Sequence, residues 1–339
     1  MIRSRYLWAV LPFLAVTAAC DSQTGAWGDE NSIVAAVDST LWAEIGEVVV
    51  DGLEPTVFTV TDEKRFTVTH QDPADEFWNN LRRFRQMLVI GTEDQPHVAD
   101  ALAKVRGRDS FSAPEIVQAQ NVWARNQNVT VLLLSESGGL SEVMGLLDEL
   151  AAQYDRQFVQ TVQQRMFLTG ADTALADTLM TQFGFSVTVP NVYFWDQRDS
   201  VIILRNDNPD PAELIRQIAV TWRTPIPDPE IFQADSILGW RTQLAAEHYS
   251  YPQLNNLDRV QGGPGMLDGR QVYEIQATWQ NPPDSGWPAG GPFILRAIVC
   301  PEQDRMYLVD SWLYAPGKEK YEFMIQLQTI LDSFRCGAA

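Results

Sequence analysis

Apolar and polar positions follow two rhythms along this chain, one of period near 3.6 and one of period two. Between residues 40 and 50, Leu41, Trp42, Ile45, Val48 and Val49 share one helical face, with Ser39 as the expected cap and Gly52 as the expected stop. TVFTVT at 56–61 and RFTVTH at 65–70 alternate and predict strands. Pro73 opens a short helix, 86–90 is an apolar strand, 96–105 a helix, 129–134 a buried strand and 140–167 a long helix. The second half restarts after Gly170 with a helix over 172–183, extended segments at 185–189 and 191–195, and a buried strand at 201–204. Asp210 and Pro211 predict a helix over 211–222, and three prolines keep 224–230 irregular. Strands at 272–279, 292–300 and 306–314, then a helix over 318–334, close the chain. Meandering strands with helices set to one side predict an α+β fold, its mostly antiparallel sheets flanked by helices. Two related modules are expected, at 31–170 and 171–339.

The first twenty residues read differently. Arg3 and Arg5 precede an apolar run, residues 6–16, that is too short to span a bilayer and contains Pro12. Thr17-Ala18-Ala19-Cys20 follows and resembles the bacterial lipobox, in which the Cys becomes the lipid-modified first residue of the mature chain. Residues 1–19 are therefore expected to be a lipoprotein signal peptide, Cys20 the lipidation site and residues 20–30 a short polar tether. The ordinary alternative is a secretory signal cut on an A-x-A-like pattern at Thr17 and Ala19. Both readings send the protein out of the cytoplasm, and the lipobox makes it an envelope lipoprotein facing the periplasm or exterior. Acyl chains contribute ~0.8 kcal/mol per buried methylene, so two or three of them hold a chain firmly.

Charge and composition narrow the partners. The chain has 44 Asp+Glu against 25 Lys+Arg, and only Lys64, Lys104, Lys318 and Lys320 are lysines. After removal of 1–19 the balance is 23 bases against 44 acids, or -21. Such a surface repels phosphate backbones, so nucleic acid is not expected as a partner. Anionic headgroups should repel the body likewise, leaving the anchor alone to hold it. Once Cys20 carries lipid, Cys300 and Cys336 remain as an even pair for a disulfide in an oxidising compartment.

A wider resemblance rests on several segments: the lipobox Cys, residues 44–54 running into GLEP, NVWARNQNVTVLLL, FGFSVTVPNVYFW, and the closing GGPFILRAIVCPEQDRMYLVDSWLYAPGKEKYEFMIQLQTIL. In order and spacing these are similar to a family of bacterial lipoproteins catalogued as domain of unknown function 4837. The resemblance implies an envelope location and implies no reaction. The final strand-strand-strand-helix run is also similar, at fold level, to the α/β/α sandwich of PsbP and Mog1 proteins.

Candidate chemistry is sparse. No G-x-S-x-G elbow occurs, and His70, His97 and His248 fit no metal or triad spacing, so no cofactor and no metal are expected. Residues 206–210, NDNPD, lack the EF-hand spacing and read as a loop. Gly262-Gly263-Pro264-Gly265 and Gly290-Gly291-Pro292 lack the P-loop ending and read as tight turns where backbone crosses backbone. Trp279, Trp287 and Phe293 flank the second of these and form either an exposed aromatic binding surface or rings that close the end of the sheet as core. A non-enzymatic protein binding an envelope partner or an apolar ligand is the reading these residues favour. An envelope hydrolase working through paired acidic residues is the alternative.

Overall fold

The computed structural model describes residues 23–228, 231–285 and 288–338. Cys20 and Trp287 lie outside them. In chain order the first stretch holds β1 (Ser32–Ala36), α1 (Ser39–Leu53), β2 (Thr56–Val57), β3 (Glu63–Lys64), β4 (Thr67–Gln71), α2 (Trp78–Leu81), β5 (Gln86–Gly91), α3 (Pro96–Leu102), β6 (Glu115–Gln120), β7 (Asn128–Leu133) and α4 (Leu140–Met166). Then come α5 (Thr173–Phe183), β8 (Phe185–Ser186), β9 (Phe194–Arg198), β10 (Val201–Asn206), β11 (Ile215–Arg223), α6 (Ala234–His248) and β12 (Leu254–Leu267). The chain closes with β13 (Arg270–Gln280), β14 (Gly290–Cys300), β15 (Arg305–Tyr314), α7 (Tyr321–Asp332) and β16 (Arg335–Cys336).

Pairing is α+β and mostly antiparallel. The larger sheet has the order β12-β13-β14-β15-β11-β10-β9 and is antiparallel throughout. The first sheet, β4-β1-β5-β7-β6, is the exception: β1, β4, β5 and β7 run parallel and only β6 opposes its neighbour. The reason is the α1 crossover, since a strand followed by a helix returns parallel to where it began.

Strand alternation divides each sheet into two cores. In β1, Ile33 and Ala35 face α1 and α4, while Val34 and Ala36 face α3. The stripe on α4, Val143, Leu150, Tyr154, Phe158 and Val162, covers the first of these faces. In the larger sheet Ile202, Ile218 and Val309 face α5 and α7, and Ile203, Leu295 and Trp312 face α6.

Several local expectations change. Asp38, not Ser39, caps α1, its carboxylate accepting from the amides of Thr40 and Leu41. Gly52 is not a stop but a point of close approach, because a Cβ there would lie 2.5 Å from Leu147 of α4. The helix expected over 211–222 is instead the strand β11. Its buried positions, 215 and 217–221, are nearly continuous and mostly β-branched, and β10 and β15 take up its backbone groups on both sides. The alternation at 56–61 yields only the two-residue strand β2.

Residues 24–30, expected as a tether, are strapped to the first sheet. The amide of Ala26 donates to Arg125 O and that of Arg125 to Thr24 O, at 2.8 and 3.0 Å. Trp27 packs edge-on against Phe84, and Glu30 pairs with Arg85.

The two sheets meet through α4 and α7. Phe158 stacks on Tyr321 with ring centroids 5.6 Å apart, and Ile325 joins the core of the first sheet. No side chain of its own caps α7. Glu63 of β3 does so from 257 residues away, accepting from the amide of Lys320 at 2.7 Å.

Candidate functional site

The sequence placed its aromatic surface around residues 279–293, and strand register decides what happens to those rings. On β15, Leu308, Asp310, Trp312 and Tyr314 alternate onto the α6 side of the larger sheet, and on β13 so do Ile275, Ala277 and Trp279. Phe293 stands opposite Trp312 across the β14–β15 ladder. Phe293 is 0% exposed and Trp279 3%, so the two described rings form no exposed patch. Each belongs to the core between sheet and α6, which a sequence of alternating apolar positions makes as readily as a surface.

Trp279 nevertheless forms a wall of an open cleft of about 360 Å³ at one end of that sheet. Trp312, Tyr314, Tyr251, Ile215 and Pro211 also line it, and Asp210 and Asn281 bring polar groups to it. Trp279 and Trp312 meet edge to face at 5.4 Å, and Trp279 Nε1 donates to Leu313 O at 3.1 Å. That placement needs Gly291: a Cβ there would lie 1.8 Å from Leu313 O and 3.0 Å from Trp279 Nε1. Backbone passing close to backbone is thus what Gly291 provides, inside a strand. Trp312 is buried, and its Nε1 has no hydrogen-bond partner among the described residues, an unmet donor on a ring that lines the cleft. Arg205 covers the face of Tyr251 with its guanidinium 5.3 Å from the ring centroid, and Asp207 holds its Nε.

Beside these rings, under α6, lies a buried ionic cluster that sequence reading did not find. Arg241 and Asp310 are both 0% exposed and pair at 3.1 Å. Arg241 also donates to Gln253 and Asn255, lies 3.8 Å from the centroid of Phe293, and leaves the second Asp310 oxygen to the Tyr249 hydroxyl. Burial pushes the Asp310 carboxyl above the usual carboxylate range, and Arg241 pulls it back. A raised carboxyl is what acid catalysis needs, but both oxygens of Asp310 are occupied and neither reaches solvent. The alternation that put Trp312 beside Asp310 was readable; that α6 delivers Arg241 onto it was not.

Other sequence candidates resolve into packing. His70 stacks on Trp42 at 4.6 Å, His97 is buried against Trp78, and Ser135 Oγ donates to Glu142. Cys300 and Cys336 lie at disulfide distance with Cα atoms 6.1 Å apart. Among the described residues no group of three or more His, Cys, Asp or Glu is placed to hold a metal, and no helix is long and apolar enough to cross a membrane.

Residues 172–333 match the family described as domain of unknown function DUF4837. That span holds the cleft, the ionic cluster and the GGPF and YAPGKEKY segments. Residues 26–166 match a second family, domain of unknown function DUF8532. GLEP and NVWARNQNVTVLLL fall there, so the likeness expected over the whole mature chain is shared between two families rather than carried by DUF4837 alone. No curated protein matches. Among solved structures the chain is similar to the cyanobacterial PsbP protein CyanoP of Synechocystis sp. PCC 6803, at 12% identity and TM-score 0.30, over 45% of this chain and 86% of that one. It is also similar to the Saccharomyces cerevisiae Ran-binding protein Mog1p, at 10% identity and TM-score 0.31, over 45% and 90%.

Proposed function

We propose that this is an envelope lipoprotein, anchored through Cys20, that binds the apolar, ring-bearing part of a ligand in the aromatic cleft of its DUF4837 segment. The observation that carries the reading is the cleft itself: four aromatic side chains, Tyr251, Trp279, Trp312 and Tyr314, converge on one opening. Such a site rewards a flat apolar group by burying it against the rings. Lipobox residues 17–20 and the cysteine pair at disulfide distance support export to an oxidising compartment. Against the hydrolase alternative stands Asp310, whose oxygens are held by Arg241 and Tyr249 with no second acid among its hydrogen-bond partners.

Titrating the full chain with anilinonaphthalene sulfonate, an apolar fluorescent anion, tests the cleft. Ala212 lies exposed on its rim, so Ala212→Trp should fill the opening and weaken probe binding at least tenfold with no change in melting temperature. Equal affinity in wild type and variant would place the binding elsewhere and remove the cleft from the reading.

A further inference from the structure

With a body charge of -21, the sequence makes the membrane surface a repelling neighbour. The distribution of that charge around the start of the described chain says otherwise. Gln23 and Thr24 lie near four bases, with a fifth, Arg82, next in sequence to one of them. Arg83 donates to Thr24 Oγ1 at 3.3 Å, Arg125 clamps Thr24 and Ala26 through its backbone, and Lys104 and Arg106 line a hollow with Gln23. Arg82 adjoins Arg83. None of the five makes an ion pair with a carboxylate among the described residues, whereas Arg85, just before β5, is paired with Glu30. Lys104, Arg106 and Arg125 are exposed. Beside them Trp27 leaves 46% of its surface open while its ring edge packs on Phe84.

Chain length ties this face to the anchor. Cys20 and Gln23 are three residues apart, which a fully extended chain spans in about 11 Å. That is close to the Debye length at physiological salt, about 8 Å. Because residues 24–30 are strapped to the sheet, no longer tether is available to let the body drift or turn another side toward the bilayer. Resting on the reading that Cys20 carries lipid, we propose that this basic, aromatic face lies against the leaflet that holds the anchor. Lys104, Arg106, Arg125, Arg82 and Arg83 meet anionic headgroups, and Trp27 sits at the interfacial level where indoles concentrate. The acidic remainder then points away, and the aromatic cleft opens on the other sheet.

The full lipidated chain, in vesicles of equal parts phosphatidylcholine and phosphatidylglycerol carrying lipids brominated near the headgroup, gives the test. Vesicle flotation reports the anchor, and bromine quenching of tryptophan emission reports the orientation. The chain should float and its emission should be quenched. Trp27→Phe should cut that quenching by at least half while melting temperature is retained. Lys104→Gln with Arg106→Gln and Arg125→Gln should cut it by at least half, as should pure phosphatidylcholine vesicles or high salt. A floating protein whose quenching does not depend on Trp27 overturns the orientation and leaves the anchor standing. A protein that fails to float overturns both.

Discussion

Buried charge gives the sharpest expectations at the scale of single residues. Arg241 and Asp310 lie wholly within the core against α6, and each satisfies the other. Asp310→Asn leaves a guanidinium dry and without its counter-charge, which should destabilise the fold by about 3–5 kcal/mol. The double variant Arg241→Met with Asp310→Leu should recover part of that loss, because no charge is then left unpaired, while the Tyr249 hydroxyl and the Gln253 amide lose the partners they have here. Chemical denaturation of the three proteins checks this; a single variant as stable as wild type would mean the pair is hydrated in solution. Both residues were visible in the sequence as one base and one acid among many. What made them a pair is the face each occupies, and 69 residues separate them.

At the scale of elements, the ends of β14 and β16 bring Cys300 and Cys336, 36 positions apart, to disulfide distance. A bond closing a loop of that length stabilises by about 3–4 kcal/mol on the chain-entropy account. Cys336→Ser, or reduction of the wild type, should therefore lower the melting temperature, and thiol titration of unfolded, unreduced protein should find neither cysteine free. Cysteine parity marks this pair, and periodicity marks α1, α3, α4, α5 and the strands β10, β13, β14 and β15. Neither signal marks β1, β6, α6 or β12. Two of these are short strands with little β-branched content, α6 has arginine on its buried face, and β12 is an edge strand whose exposed residues follow no alternation. In 211–222 a helical cap signal competed with a central strand position, and the sheet prevailed because β10 and β15 offer hydrogen bonds along its whole length.

For the whole molecule, acid is the condition to test. Burial alone would raise the Glu274 carboxyl, but Arg296 and the amides of Gln276 and Gln328 hold it below its ordinary value of 4.5. A carboxylate depressed in the folded state adds stability that is complete above its unfolded value and is lost as pH falls through the folded one. Hydrogen bonds from Ser39 depress Asp72, and those from Arg108 depress Glu115, in the same sense. Asp310, raised by burial, works the other way. Melting temperature should thus hold between pH 7 and pH 5 and decline below about 4.5. Arg296→Gln should lower stability at neutral pH and flatten that acid limb; an unchanged limb would show that Glu274 does not govern it. Net charge from the sequence gave no hint of which carboxylates matter, nor that the acidic body carries a basic face beside Gln23.

The sequence by itself determined what local signals can encode: a lipobox-like run at residues 17–20, the acidic balance, the cysteine parity, and the elements whose apolar period is long and clean. Tertiary structure alone decided which sides of those elements meet. It buried Phe293 and all but the edge of Trp279, made the cleft from residues of several strands, brought Arg241 onto Asp310 and Glu63 onto the start of α7, and fastened the expected tether to the first sheet. Those outcomes depend on register and on contacts between residues far apart in the chain, and a period counted along one segment carries no information about either.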